Sequence, residues 1–149
     1  MLITTTNPSI SGKKIMAIDY GERVSGLAFF HDGIDFFPAP IGKIIEASTE
    51  RLIAKLRKFV LEYEADVVVI GVPKFTDGKK SKMTLKVEKF ASTLQNEISP
   101  IPLFCQDETL STFDAKERMK NSPLYNFKVD YGKIDEVSAA IILEDFLKQ

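Results

Sequence analysis

The sequence predicts an α/β domain built on a five-stranded mixed sheet with helices on its faces. Three β-prone segments come first, and the rest of the chain alternates between helical periodicity and short apolar runs. A meander followed by alternating helices and strands is typical of a sheet that is antiparallel on one side and parallel on the other. The 149 residues are enough to bury one substantial core, and we assign residues 14–149 to it.

The antiparallel meander is predicted from three segments, at 14–20, 24–30 and 33–37. An Asp-Gly pair between apolar runs is a strong hairpin signal, and the sequence His-Asp-Gly at 31–33 supplies one between the second and third segments. The residues before the first strand, 1–13, are rich in Thr, Ser, Asn and Pro, and we expect them to form a flexible tail.

Helical spacing begins at Ser48 and continues to Glu64, where apolar residues recur at i, i+1, i+4, i+7, i+8 and i+11. The run VVVIG at 67–71 is continuous and β-branched, which is typical of a strand buried on both faces, and we place it in the interior of the sheet. Four further elements complete the prediction: a helix at 83–98, a strand at 101–106, a short helix at 111–120 and, after a loop with Pro and Gly, a closing helix at 134–147.

The composition restricts the classes of partner. The formal net charge is −1, so any nucleic acid would have to be held by local basic groups or by metal ions and not by overall charge. The single cysteine excludes an internal disulfide. The sequence shows neither an apolar run of about 20 residues nor a secretory signal, so we expect a cytoplasmic protein without a membrane segment.

Carboxylates stand at the ends of three predicted elements. Asp19 ends the first strand within an apolar run, Asp107 and Glu108 follow the last strand, and Asp135 opens the closing helix. A carboxylate in an apolar setting costs several kcal/mol unless something compensates it. Carboxylates gathered at one sheet edge form a hard-oxygen site for Mg²⁺ or Mn²⁺, which can assist phosphoryl displacement. A zinc site of the usual kind needs several histidine or cysteine ligands, and the chain has only one of each, so it is hardly possible here.

Each carboxylate also has a plain structural interpretation. Asp19 could bond its own backbone in a turn, Asp107 or Glu108 could flank the following helix, and Asp135 could be a helix N-cap. The residue pattern alone does not choose between these roles and a shared site.

Four stretches of the chain resemble, in order, the motif blocks of the YqgF (RuvX) family: IDYGERVSGLA, VVVIGVPKFTDGKKSKMTLKVEKFASTL, QDETLST and KIDEVSAAIIL. The resemblance runs from about residue 14 to residue 147. It implies a ribonuclease-H-like fold and a Holliday-junction-resolvase-like nuclease that matures the 5′ end of 16S ribosomal RNA. It further implies that Asp19, Glu108 and Asp135 form the catalytic set and bind Mg²⁺ or Mn²⁺.

The chain departs from the family pattern at three positions. Val24 stands where the family has Arg, Thr109 stands where it has another Arg, and Phe75 replaces an Asn. Arg23 occupies the position of the family's Lys. The remaining basic candidates for binding nucleic acid are three lysines of one loop, Lys79, Lys80 and Lys82.

The sequence therefore predicts a metal-dependent nuclease that acts on structured RNA or branched DNA as a monomer or weak homodimer. The departures leave a second hypothesis open, namely a regulatory module that binds RNA or DNA on the same fold with weakened catalysis. A sugar-kinase-like phosphotransferase also begins with an Asp-x-Gly hairpin, but it needs two such domains around its nucleotide.

Overall fold

The computed structural model describes residues 9–75, 77–108 and 111–149. In chain order its elements are β1 (Lys14–Asp19), β2 (Val24–His31), β3 (Ala39–Ile45), α1 (Thr49–Glu62), β4 (Val67–Val72), α2 (Lys82–Ile98), β5 (Leu103–Asp107), α3 (Ser111–Lys120), a 3₁₀ turn (Pro123–Tyr125) and α4 (Ile134–Leu147). The strands form one sheet in the order β3-β2-β1-β4-β5. The predicted α/β architecture with a five-stranded mixed sheet is confirmed.

The sheet is antiparallel on one side and parallel on the other. β1 pairs antiparallel with β2, and β2 pairs antiparallel with β3. β4 lies parallel to both β1 and β5. All six residues of β4 are buried, as its uninterrupted apolar sequence predicts, although β1 and not β4 is the middle strand. Consequently β1, β4 and β5 end at the same edge of the sheet.

The prediction for the third strand is wrong. Residues 33–37 form no strand, and β3 is Ala39–Ile45. Gly33 has φ +86°, and the amides of the two residues after it donate to the His31 carbonyl, so the chain turns back on itself instead of pairing. The Asp35 carboxylate closes this turn by accepting from the His31 amide at 2.9 Å. The Asp-Gly pair does mark a turn, but the loop is longer than a tight hairpin.

Helices cover both faces of the sheet. One core cluster joins α1 and α2 to the sheet, and a second joins α4 to the opposite face. A smaller cluster packs α3 against α4. Within the described ranges, no helix is both long enough and apolar enough to span a membrane.

The residues of the predicted tail that the structure describes, 9–13, contact the sheet. Residues 1–8 lie outside the described part of the chain, whereas residues 9–13 form a turn that is tied to the sheet. The Gly12 amide donates to the Asp32 carboxylate at 3.0 Å, and Ile10 packs against the α4 side of the core.

Candidate active site

The sheet brings two of the predicted site residues to one cavity. Asp19 is the last residue of β1, and Glu108 directly follows β5. Both line a cavity of about 250 Å³, which we call the carboxylate cavity. Its other lining residues are Tyr20, Gly71, Pro73, Ser111, Thr112, Phe113 and Ile142.

Close packing of α4 on the sheet places Asp135 near Asp19. Gly26 is the partner of Asp19 in β2, and a Cβ atom on Gly26 would lie only 1.9 Å from the Asp135 carbonyl oxygen. Gly71 of β4 leaves similar room, since a Cβ there would lie 2.4 Å from Cδ1 of Ile142. Gly26 therefore lets the first turn of α4 lie directly against β2, and Gly71 makes room for Ile142 of the same helix over β4.

The electrostatics of Asp19 reflect both its burial and this neighbour. The pKa of Asp19 is raised from 3.8 to about 7, first by burial and then by the negative charge of Asp135. Burial also raises the pKa of Asp135, while the charge of Lys43 works in the opposite direction. In the described chain no group donates a hydrogen bond to the Asp19 carboxylate, so the interpretation of Asp19 as a self-bonded turn residue has no support.

Glu108 is the second carboxylate with an unfavourable setting. Its pKa is raised from 4.5 to about 8, first by burial, then by a hydrogen bond with Asp145 and the charge of Asp145, and then by the charges of Asp114 and Asp19. Its Oε2 atom is buried and has no hydrogen-bond partner among the described residues. A buried carboxylate oxygen without a donor is costly, and it marks a position where a ligand or ion could bind.

The neighbouring Asp107 faces elsewhere. Its side chain is 71% exposed and pairs with Lys74, with 2.9 Å between the Lys74 Nζ and Asp107 Oδ1 atoms. It lines a different cavity together with Cys105. Successive residues of a strand point to opposite faces, and here this alternation turns Glu108 and not Asp107 toward Asp19.

The donor chemistry of this edge suits Mg²⁺ or Mn²⁺, because both ions prefer carboxylate oxygens. Such an ion would compensate the negative charge of three carboxyl groups whose pKa values are raised. It would also bind the Glu108 oxygen that has no hydrogen-bond partner among the described residues. Within the described residues, however, no three His, Cys, Asp or Glu side chains form a group that could hold a metal ion as they stand. The sharing of one cation by Asp19, Glu108 and Asp135 therefore stays a prediction.

The N-cap role considered for Asp135 is wrong. The N-cap of α4 is Lys133, and Asp135 lies in the first helical turn with Glu136. An acid in the first turn is still favoured by the helix dipole.

The predicted basic residues lie outside the carboxylate cavity. Arg23 is exposed and lines a separate cavity beyond Tyr20. Lys79 lies 3.9 Å from an Asp77 carboxylate oxygen, and Lys80 lies 3.1 Å from one of Glu88. Lys82 is the exposed first residue of α2. Exposed ion pairs contribute about 0–1 kcal/mol, so Lys79 and Lys80 could exchange their partners for a phosphate.

The three residues that depart from the family pattern lie in different surroundings. Val24 is half-buried and pairs with Ile45 in the sheet, and Phe75 is exposed in the loop after β4. Thr109 lies outside the described residues.

Sequence reasoning missed two contributors to the site. Phe113 lines the carboxylate cavity although its side chain is 59% exposed, and Asp145 approaches Glu108 from the far end of α4. An exposed aromatic residue on a polar helix could have drawn attention to Phe113. Nothing local in the sequence indicates Asp145, because its role depends on where α4 passes Glu108.

Comparison with known proteins places the chain in a family. The family model for RuvX, described as Holliday junction resolvase, matches residues 13–149. A protein of Pseudoalteromonas translucida named "Putative pre-16S rRNA nuclease" is 42% identical over 147 residues, covering 91% of this chain and 89% of that protein. A protein of the same name from Chloroflexus aurantiacus is 35% identical over 134 residues, covering 89% and 85%.

Solved structures show the same fold at low sequence identity. The RuvC structure of Thermus thermophilus has a TM-score of 0.58 at 9% identity and covers 91% of this chain and 95% of that one. The fowlpox virus Holliday junction resolvase has a TM-score of 0.53 at 15% identity, with 91% and 99% covered. With the family model spanning nearly the whole chain and relatives above 30% identity, the chain belongs to the RuvX family of Holliday-junction-resolvase-like nucleases with a ribonuclease-H-like fold.

Proposed function

We propose that this protein is an Mg²⁺- or Mn²⁺-dependent nuclease that cleaves structured RNA and processes the 5′ end of pre-16S ribosomal RNA. The observation that carries the proposal is the pair formed by half-buried Asp19 and buried Glu108 across one cavity, neither of which has a cationic side chain of the described residues beside it. The names of the relatives, which specify pre-16S rRNA, supply the substrate class.

Asp19, Glu108 and Asp135 would hold the metal. A bound divalent cation supplies positive charge that activates the attacking water and stabilises the charge developing on the phosphate. Asp19 at the end of β1 and Glu108 after β5 are fixed by the sheet, and Gly26 fixes Asp135 through the close approach of α4. Such rigid support is what a site needs to hold a phosphate in line for displacement.

Nucleic acid is the proposed partner, with structured RNA first and branched DNA second. The near-neutral chain requires local contacts for a polyanion, and Arg23 with the lysines of the 79–82 loop is the proposed basic set. The cytoplasm, a reducing compartment, is the proposed site of action. A single cysteine fits this, and burial raises the pKa of the Cys105 thiol to about 11, which keeps it unreactive.

The alternative of a binding module without catalysis has less support. It rests on the lost basic residues at 24 and 109, whereas the three carboxylates that would perform the chemistry are all retained. A module with no metal would also gain nothing from a half-buried Asp19 and a buried Glu108 with raised pKa values.

A cleavage assay with a matched pair of variants tests the proposal. Precursor RNA carrying the 16S 5′ leader is incubated with wild type, Glu108→Gln and Asp107→Asn in Mn²⁺ and in EDTA. We expect wild type and Asp107→Asn to cleave within about threefold of each other, and Glu108→Gln to lose at least about 100-fold, since one carboxylate of the metal set is lost. EDTA should abolish cleavage.

The neighbouring acids make this comparison decisive. Asp107 and Glu108 are adjacent, and each substitution removes one negative charge. A general electrostatic effect would therefore change cleavage equally in both variants. Equal losses in both variants, or wild-type cleavage that survives EDTA, would contradict the assigned site. Wild type that binds the RNA in Mn²⁺ without cutting it would favour the binding module.

A further inference from the structure

A second, larger cavity lies on the α1 and α2 side of the sheet. It measures about 450 Å³, and we call it the basic cavity. Its lining residues are Tyr20, Glu22, Arg23, Ala47, Thr49, Lys86, Lys89, Phe90 and Thr93. Its walls therefore come from the turn between β1 and β2, the start of α1 and the middle of α2.

The charge of this cavity is opposite in sign to that of the carboxylate cavity. Arg23, Lys86 and Lys89 stand against one acid, Glu22, which leaves a formal charge of +2 in a chain whose net charge is −1. Glu22 already pairs with Lys86 at 2.7 Å. In the described chain Arg23 and Lys89 form no ion pair, so their charges are available to a ligand.

The start of α1 adds donors of the same sign. Ala47 and Thr49, which flank the N-cap Ser48, line the cavity. This 14-residue helix directs the positive end of its dipole toward this point, although Ser48 already caps the Arg51 amide and the Ser48 amide donates to the Glu46 carboxylate at 3.2 Å. Together with the three cationic side chains, this end of α1 makes the cavity suited to phosphate groups.

Tyr20 joins the two cavities. It is the one residue common to both sets of lining residues given above. Its ring is held by stacking on Phe90, with 4.3 Å between ring centroids. The two cavities are therefore neighbours, one on each side of Tyr20, and a polynucleotide bound in one lies next to the other.

We propose that the basic cavity binds the phosphodiester backbone of the substrate strand next to the bond that is cut, through Arg23, Lys89 and the N-terminus of α1. This inference rests on the proposed nuclease function and adds to it a second contact site. A polynucleotide fits better than a free nucleotide, because the cavity adjoins the carboxylate cavity at Tyr20 and its cations are exposed side chains. Glu22 would weaken binding, since its charge opposes the phosphate.

Binding measurements without catalysis test this site independently of the nuclease reaction. All variants are made in the Asp19→Asn background, and binding to a fluorescent RNA hairpin with a single-stranded 5′ tail is measured in EDTA over a series of salt concentrations. The variants are Arg23→Gln, Lys89→Gln and Glu22→Gln. Lys58→Gln is the control, because Lys58 is an exposed lysine of α1 outside the cavity.

We expect Arg23→Gln and Lys89→Gln each to weaken binding about 3- to 10-fold and to reduce the slope of log K against log salt by about one, as for the loss of one phosphate contact. Lys58→Gln should stay within about twofold of its parent. Glu22→Gln should tighten binding, a result that simple damage to the fold would not produce.

Two results would overturn the inference. One is that Arg23→Gln and Lys89→Gln behave like Lys58→Gln, and the other is that the parent protein fails to bind the hairpin. The assay contains no metal and measures no cleavage, so it tests the basic cavity separately from catalysis. If the variants change binding as expected but the wild type does not cut RNA, the proposed nuclease function fails and the inference about the basic cavity stands.

Discussion

Aspartate carboxylates lie at both ends of β1, but among the described residues only those at the start of the strand accept hydrogen bonds from backbone amides. At the start of the strand, the Asp66 carboxylate accepts a hydrogen bond from the Lys14 amide at 2.9 Å, and Asp32 accepts one from the Gly12 amide at 3.0 Å. At the other end, Asp19 receives no hydrogen bond from any described residue, and its charged neighbours are the carboxylates of Asp135 and Glu108.

The difference separates acids that stabilise the fold from acids that are costly to it. A carboxylate that accepts from a backbone amide contributes about 1 kcal/mol or somewhat more. A buried carboxylate beside others of the same charge costs stability instead. Such a cost is typical of functional sites, where stability is lost to hold groups ready for a ligand. The end of β1 at Asp19 is of this second kind.

The largest expected effect comes from removing the charge of Asp19. Asp19→Asn should abolish cleavage, with a loss of at least about 10³-fold, because a proposed metal ligand is lost. The same change relieves repulsion with Asp135 and Glu108 while conserving shape. The metal-free variant should therefore be as stable as the wild type or more stable. Thermal melts in EDTA and in a few millimolar Mn²⁺ provide the measurement.

Mn²⁺ distinguishes this interpretation from a structural one. We expect Mn²⁺ to raise the melting temperature of the wild type and to have no effect on Asp19→Asn, since binding to the folded state stabilises it by mass action. A wild type indifferent to Mn²⁺, combined with a less stable Asp19→Asn, would show that Asp19 is an ordinary structural residue and would remove the basis for the metal site.

The stability of the metal-free protein should depend on pH through the carboxylates at the Asp19 end of β1. The folded-state pKa of Asp19 is about 7, above its ordinary value of 3.8, and that of Glu108 is about 8, above 4.5. The folded protein thus holds these protons more tightly. Their stabilising contribution is complete below pH about 4 and is lost as the pH rises through about 7 to 8. Metal-free wild type should therefore lose stability on the order of 1–3 kcal/mol between about pH 5 and pH 8.

Chemical denaturation in EDTA across this range measures the loss. Asp19→Asn should show a shallower decline, because one of the carboxyl groups with a raised pKa is gone. Glu46 does not interfere, since its pKa is lowered to about 2, first by hydrogen bonding to Lys55, and its contribution changes only below the ordinary value of 4.5. Equal slopes for Asp19→Asn and wild type would contradict the raised pKa of Asp19.

Much of the fold follows from the sequence because its signals are local and strong. The uninterrupted VVVIG run predicts a strand buried on both faces, and the apolar period of 48–64 predicts α1 to within two residues at either end. The third strand was placed wrongly because β3 contains Pro40 and alternates poorly, while the preceding Phe-rich segment looks more strand-like. Edge strands bury little, so their sequence carries a weak signal.

The sequence predicts the site residues that lie at the ends of strands and not those that other elements bring close. Asp19 and Glu108 follow apolar strands, and parallel strands place their carboxyl ends together, so the topology predicts that they meet. The proximity of Asp135 depends instead on Gly26, whose missing Cβ lets α4 approach, and that of Asp145 depends on the path of α4 across the sheet. Such contacts arise from packing between distant elements and leave no periodic signal in the chain.

The smallest expected effect lies at the start of β1 and mirrors that of Asp19→Asn. Asp66→Asn keeps an oxygen that can accept from the Lys14 amide but loses the strengthening that the charge gives the bond. We expect a loss of up to about 1 kcal/mol in the free energy of unfolding, equal in EDTA and in Mn²⁺, with cleavage unchanged. Denaturant titration beside Asp19→Asn makes the comparison direct, because the same substitution should then lower stability at one end of the strand and not at the other. If Asp66→Asn and Asp19→Asn destabilise the protein equally, the carboxylates at the two ends belong to one class, and the distinction drawn from their hydrogen bonds fails.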